Sequence, residues 1–402
     1  MRVIQINLAY KSGSTGKIVY EIKKRLDKEN IENYVIYGRG KRLKEKNVFK
    51  IGINFFAKVN KLFCLLFGNP YGFAIFNTFL IKRKIKKINP NIVHIHCING
   101  NFVNSYTLLK FLSKHKIKVV YTQHAEFLFT GGCPHSHNCN NWKNGCGNCR
   151  NKRSMESLFF DTSNNNCKRM HKALKKFEKD SLAIVSVSPW LLERSKQSYV
   201  LKDLNHYVIK NGIDTNIFKK ISDDEINPQK ENLNLNKNTK TILYITPNYM
   251  DPNKGGIYFD SIVKDFQAYN FIAVGSFPSN HYFPDNVTYL GSISDNSLMA
   301  KLYNIADTTL LTSERETFSM VVIESLCCGT PVVGFKAGGP ESIALLNYAS
   351  FVEYGNLDSV KKSLVHTLNT AINKNVISDE SCKLYSSDIM TTNYLELYKK
   401  LL

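Results

Sequence analysis

The sequence predicts an α/β protein of two Rossmann-like, doubly wound domains facing across a cleft. Three observations lead there. The 402 residues exceed one ordinary domain and suit two. Short β-branched runs alternate with longer amphipathic stretches along the chain, the rhythm of βαβ units around parallel sheets. The halves also differ electrostatically: residues 1–210 carry 38 Lys and Arg against 12 Asp and Glu, whereas residues 211–402 carry 16 against 21. With 43% hydrophobic and 22% charged residues, disordered and fibrous classes are excluded. The basic half should face phosphates, anionic lipid or nucleic acid.

In order along the chain, RVIQINLA is a first strand, and Gln5 and Asn7 deny it the continuous apolar core of a signal peptide. Gly13 to Gly16 form the loop that follows, either a plain βα turn or a site of close backbone approach to a phosphate at a helix N-terminus. NYVIYGR is the next strand. LFCLLFGNPYGFAIF (62–76) is broken by Asn69-Pro70 and too short to span a bilayer. With Phe55, Phe56, Phe63, Phe67 and Phe73 beside Lys58, Lys61 and IKRKIKK (81–87), two descriptions balance. It is a cation-bordered surface lying in a headgroup plane, or a core helix next to a solvated charge run. NIVHIHC, KVVYTQHA and AIVSVS complete the first series, with His94 and His96 as packing residues and His124 at a strand end.

Ten cysteines would suit a disulfide framework if they were regularly spaced, but six are scattered, which fits a reducing cytoplasm. Cys133, Cys139, Cys146 and Cys149 cluster in a Gly-, Asn- and His-rich loop (131–150) with little apolar material. Four thiolates around a structural zinc would substitute for a core there. His135 or His137 replacing one thiolate, local disulfides, and unliganded thiols are the alternatives.

The first domain spans 1–209, the second 210–385, and 386–402 is a last helix that crosses back to the first. A polar stretch at 219–240 precedes the strands TILYIT, NFIAVG, VTYLG, TTLLTS, PVVGF and SFVEY. Within LLTSERETFSMVVIESLCCGTPVVGFKAGGPESI (310–343), a polar loop carries Glu316 and Thr317. A helix follows from Phe318 to Cys328, stopped by Gly329. Glu316 at the helix entrance and Glu324 two turns inside would accept hydrogen bonds from two sugars, and the amides of Phe318, Ser319 and Met320 suit a diphosphate.

Glu-x7-Glu in ERETFSMVVIE, followed by SLCCGTPVVGFKAGGPESI, resembles the donor-site signature of retaining glycosyltransferases of family 4, which have the two-domain GT-B fold. INLAYKSGSTGKIVYEI, NPNIVHIHCINGNFVN, YTQHAEFLFTGGC, the cysteine segment, SLFFDTSNN, VSPWLLERSKQS and IKNGIDTNIF resemble its bacterial subgroup that builds capsule, colanic-acid-type exopolysaccharide and O-antigen. The resemblance implies donor-binding roles for Gly13, Gly16, Lys254, Glu316, Thr317, Phe318, Ser319 and Glu324, with His124, Lys254 and Glu316 at the reacting centre. Lys254 in DPNKGG would neutralise the leaving diphosphate. Asn253 stands beside it where many members have arginine, and Ser319 stands where glycine is common. Glu126 joins His124 as a candidate to orient the acceptor.

The implied activity is metal-independent, retaining transfer of a hexose-type sugar. The donor is a nucleoside-diphosphate sugar, and the acceptor is an undecaprenyl-diphosphate-linked glycan at the inner face of the cytoplasmic membrane. The enzyme would be peripheral to an anionic membrane surface and would use no nucleic acid. The alternatives are another GT-B enzyme, such as a sugar-nucleotide epimerase, and a basic nucleic-acid-binding protein; the latter leaves Glu-x7-Glu without a role.

Overall fold

In the computed structural model, residues 1–52, 54–233, 235–236 and 239–402 are described. The chain forms two units: Met1–Lys210 together with Met390–Leu402, and Asn211–Ile389. The first holds seven strands, β1 (Arg2–Asn7), β2 (Glu32–Tyr37), β3 (Val48–Lys50), β4 (Ile92–Ile95), β5 (Lys118–Gln123), β6 (Leu182–Ser186) and β7 (Asn205–Val208). Their order is β3-β2-β1-β4-β5-β6-β7, every pair parallel. Helices cover both faces of such a sheet, so the central strands are apolar runs rather than alternations, as the fully buried Leu182–Ser186 strand shows.

The second unit repeats the plan with β8 (Thr241–Thr246), β9 (Asn270–Gly275), β10 (Val287–Tyr289), β11 (Thr308–Leu311), β12 (Val332–Phe335) and β13 (Ala349–Val352). These parallel strands run β10-β9-β8-β11-β12-β13. The strand order reverses between β1 and β4 in one sheet and between β8 and β11 in the other. At such a switch point neighbouring crossovers leave to opposite faces and open a crevice at the strands' carboxyl ends.

The last helix, Ser387–Leu401, begins in the second unit, and from Met390 onward it belongs to the first. Its Met390, Tyr394, Leu395, Leu397, Tyr398 and Leu401 pack with Val3, Ile18, Ile22, Ile92 and Val120 in one buried cluster. Tyr398 Oη lies 2.5 Å from His94 Nδ1, and Tyr394 Oη lies 3.0 Å from Thr122 Oγ1. Both histidine and threonine are fully buried, so these bonds satisfy polar groups that water does not reach.

Two helices in the first unit, Asn54–Phe67 and Ile75–Ile88, decide between the balanced descriptions of their apolar residues. Phe55, Phe56, Phe63, Phe67, Ile75, Phe76 and Phe79 are all exposed. The core-helix description fails for this face, since Asn77, Thr78, Ile81, Ile85 and Ile88 are what Ile75–Ile88 buries. Leu158, Phe159 and Phe160 are exposed too, and the Leu158 amide donates to Leu65 O at 2.9 Å, which sets this aromatic segment beside the first helix. Among the described residues no helix is long and apolar enough to cross a membrane.

Candidate functional site

In the second unit the loop after β8 carries Lys254, and the loop after β11 carries Glu316; these are the two strands that flank the switch point. Lys254 Nζ meets Glu316 Oε1 at 2.5 Å, and Ser313 Oγ donates to the same oxygen at 3.1 Å. Both charged side chains are about one-fifth exposed (20% and 19%), so the pair is reachable yet partly desolvated. Bonds to backbone carbonyls stitch the loops together: Thr312 Oγ1 donates to Lys254 O (2.6 Å), Asn253 Nδ2 to Arg315 O (2.8 Å), and Glu314 N to Asn253 O (2.9 Å).

Gly255 completes the turn at φ +64°, and a Cβ there would lie 2.2 Å from Thr312 O. Only glycine combines that left-handed backbone with so close a neighbour. Glu316 also bonds through its own backbone: its N–H donates to Ala337 O at 2.9 Å and its carbonyl accepts from Gly339 N at 2.8 Å. Gly339 is needed for that approach, since a Cβ would sit 2.3 Å from Thr317 C. Glu341 closes the Ala337–Gly338 turn by accepting both amides at 2.8–3.0 Å.

The helix beyond Glu316 is shorter than expected, Met320–Cys327. Phe318 and Ser319 lie before it because Ser319 takes φ +81°, a left-handed value incompatible with a helix. Thr317, Phe318 and Ser319 are buried. Glu324 is therefore the fifth helical residue, one turn in rather than two. It is half-buried and accepts from Tyr303 Oη at 2.9 Å, which holds one carboxylate oxygen in place. The helix ends as expected, with Gly329 at φ +80°.

Gly13, Gly16 and His124 belong to the first unit. Gly13–Gly16 is not a loop but the first turn of the helix Gly13–Lys28, with Ser12 at its N-cap position. Gly16 still serves close approach: a Cβ would stand 3.3 Å from Ala9 O and Lys11 N. His124, just past β5, is half-buried, and its Nε2 lies 3.2 Å from His96 Nδ1. His96 in turn packs against His94 with tilted rings, centroids 3.8 Å apart. Burial lowers the His124 imidazole to about 4 and holds His94 and His96 well below the ordinary histidine value, so all three are neutral near pH 7.

Glu126, a candidate to orient the acceptor, is turned into the protein and paired there. It is fully buried, its Oε1 takes Arg194 Nε at 2.5 Å, and its Oε2 takes the Ser136 amide at 2.6 Å. Arg194 also packs over Trp142 and Trp190, with centroid distances of 4.4 and 4.9 Å. This cluster anchors the cysteine loop. Trp142 is 1% exposed, packs on Phe129 and donates to Cys139 O at 2.8 Å, so the loop contains the apolar anchor its composition seemed to lack.

Cys133, Cys139, Cys146 and Cys149 line one recess with His135 and His137. Among the described residues, however, no group of three or more His, Cys, Asp or Glu is placed to hold a metal. All ten cysteines are free thiols. Burial and the neighbouring sulfurs raise Cys133 to about 12, while contact with the Cys167 thiol lowers Cys146.

Comparison with known proteins agrees with this architecture. The profile of Glycosyltransferase Family 4 matches residues 15–217, half of the chain, and that of Glycosyl transferases group 1 matches residues 263–383. The chain belongs to glycosyltransferase family 4 and is a glycosyltransferase. WcaC of Escherichia coli (strain K12), named provisionally as a colanic acid biosynthesis glycosyl transferase, is 20% identical over 418 residues, covering 100% of both chains. An uncharacterised 42.6 kDa protein of the Klebsiella pneumoniae cps region is 22% identical over 82% of this chain and 76% of its own.

Among solved structures, sucrose-phosphate synthase of Thermosynechococcus elongatus superposes with a TM-score of 0.71 at 14% identity, covering 100% of this chain and 98% of its own. HepE of Anabaena in complex with UDP-glucose gives 0.68 at 14% identity, covering 99% of both. The two-domain GT-B fold is thus shared where little sequence is. These likenesses favour neither an epimerase nor a nucleic-acid binder.

Proposed function

We propose that the enzyme moves a hexose-type sugar, with retention and without a catalytic metal, from a nucleoside-diphosphate sugar to a lipid-linked glycan acceptor. The observation that carries this is the Lys254–Glu316 pair at 2.5 Å on the two loops that leave the switch point. A carboxylate accepts sugar hydroxyls, and an ammonium beside it stabilises charge growing on the departing diphosphate. In a front-face transfer the bond from the anomeric carbon to the phosphate oxygen breaks as the acceptor oxygen bonds on the same side, and that phosphate oxygen takes the acceptor proton. No enzymic nucleophile is needed; the protein supplies position and electrostatics.

His124, neutral by burial, contacts the donor sugar without adding charge, with Gly13 and Gly16 giving backbone approach. Thr317, Phe318 and Ser319 border the diphosphate, and Glu324 takes the ribose. The full-length similarity to WcaC and the partial similarity to the cps-region protein support a place in capsule or exopolysaccharide synthesis, for which the acceptor proposed is an undecaprenyl-diphosphate-linked glycan.

The exposed aromatic residues of Asn54–Phe67, Ile75–Ile88 and Leu158–Phe160, next to Lys58, Lys61 and the 81–87 cations, support attachment to the anionic inner face of the cytoplasmic membrane. Purified enzyme screened against a panel of nucleotide sugars, with chelator present, should show slow hydrolysis of one donor. Hydrolysis of none, or only after divalent metal is added back, contradicts the proposal.

A further inference from the structure

Between Glu45 and Glu126 the chain contains no Asp or Glu but thirteen Lys and Arg. Five cations from this stretch and the loop before it, Arg42, Lys50, Arg83, Lys84 and Lys87, come together around one recess of about 440 Å³ beside the edge strand β3. No acidic residue lines it. Among the described residues none of the five forms an ion pair with a carboxylate. Five like charges around one concavity repel each other unless an anion occupies it.

The recess is shaped by packing as well as charge. Lys84 Nζ sits 3.5 Å from the centroid of Phe49, whose ring stacks on Tyr34. Burial and the Lys87 charge both lower Lys84, which a bound anion would relieve. Lys82 and Lys86, on the same helix, turn away over Phe111 at 5.3 and 5.9 Å. Arg83, Lys84 and Lys87 instead follow the i, i+3, i+4 spacing that continues the line of exposed Phe76 and Phe79 and half-buried Leu80. One face of Ile75–Ile88 is therefore apolar at its start and cationic at its end. Phe79 and Lys87 are about 12 Å apart along the axis at the usual rise per residue.

We propose that this recess is a binding site for the phosphate of an anionic phospholipid headgroup, with the neighbouring aromatic residues entering the acyl boundary. The site rests on the membrane-facing assignment of the same surface and adds to it a discrete headgroup pocket built from two separate segments. Apolar insertion and phosphate capture on one helix distinguish a lipid from a soluble phosphate, which would need no exposed phenylalanines beside it.

Co-sedimentation of the full chain with vesicles of equimolar phosphatidylglycerol and phosphatidylcholine, at physiological salt, tests this. R83Q/K84Q/K87Q and, from outside the helix, R42Q/K50Q should each bind at least tenfold more weakly than K172Q/K175Q/K176Q, a control that removes three exposed cations of the same unit. Equal binding by the recess variants and the control overturns the pocket while sparing the membrane assignment. A wild type that does not bind the vesicles overturns both. Glycerol phosphate in solution binding as tightly as vesicles overturns the lipid in favour of a soluble ligand. Matching thermal unfolding of the triple and double recess variants and wild type shows that any loss is not misfolding.

Discussion

Lys254 and Glu316 are partly exposed, so the pair contributes at most about 1 kcal/mol to stability, whereas the proposed function gives it a direct part in the transfer. Lys254→Ala and Glu316→Gln are therefore expected to keep melting temperatures close to wild type while turnover falls by roughly 10²–10³-fold. Near-normal turnover in both would remove the assigned site. Ser319 makes the opposite case. Its φ of +81° is strained for a residue with a side chain, at about 1 kcal/mol or more, so Ser319→Gly should raise stability by about that amount in denaturant unfolding.

The histidines give a pH dependence with a definite sign. Burial lowers His94, His96 and His124 in the fold, so the unfolded chain binds more protons. Their stability contribution is fully present above the unfolded value of about 6.5 and is lost as pH falls toward 4. Melting temperature should drop across that interval. Imidazole resonances of all three histidines that titrate near 6.5 in the folded protein would contradict it.

The cysteine loop shows how one element finds its anchor. Its Gly, Asn and Cys content argues for a metal, but Trp142, Phe129 and the Arg194–Glu126 pair tie it to the helix Pro189–Gln197 and to the turn after β5. Trp142→Ala should cost about 3–5 kcal/mol in unfolding free energy, whereas chelator added to the reduced protein should leave the melting temperature unchanged. A melting temperature that falls with chelator would restore zinc as the loop's support.

This element was half legible. The cysteines and Glu126 are conspicuous in sequence, yet Glu126 pairs with a residue 68 positions away, a contact that no local spacing reports. The exposed helices behave likewise: spacing alone left a membrane-facing surface and a core helix in balance, and only burial showed that Phe76 and Phe79 lie outward.

Across the molecule, the +26 half, residues 1–210, carries the exposed aromatic helices, and the −5 remainder holds the Lys254–Glu316 loops. Vesicle binding should accordingly weaken steeply as salt rises, whereas donor hydrolysis should change little, because a short, partly desolvated pair is less screened than a surface field. A hydrolysis rate that falls in step with vesicle binding would contradict this separation. The two units also share the last helix, whose Tyr394 and Tyr398 are fully buried in the first. Deleting 390–402 should leave the protein insoluble or unfolded, as the exposed core of the first unit would require.

Most strand positions, the parallel α/β class and the Glu-x7-Glu signature were readable from residue order, whereas the short edge strands β3 and β7 and the starts of the helices Gly13–Lys28 and Met320–Cys327 were not. Each of the readable features depends on spacings of a few residues, and those spacings are set by backbone geometry alone. The partner of Glu316, by contrast, lies 62 residues away, and Ala337 and Gly339 close on it from a third segment. Whether Glu126 is free, whether the cysteine loop needs a metal and which face of Ile75–Ile88 meets solvent are decided in the same way. Contacts of that kind follow from strand order and from which side chains fill the space between layers, and a long-range arrangement leaves no periodicity in the chain that encodes it.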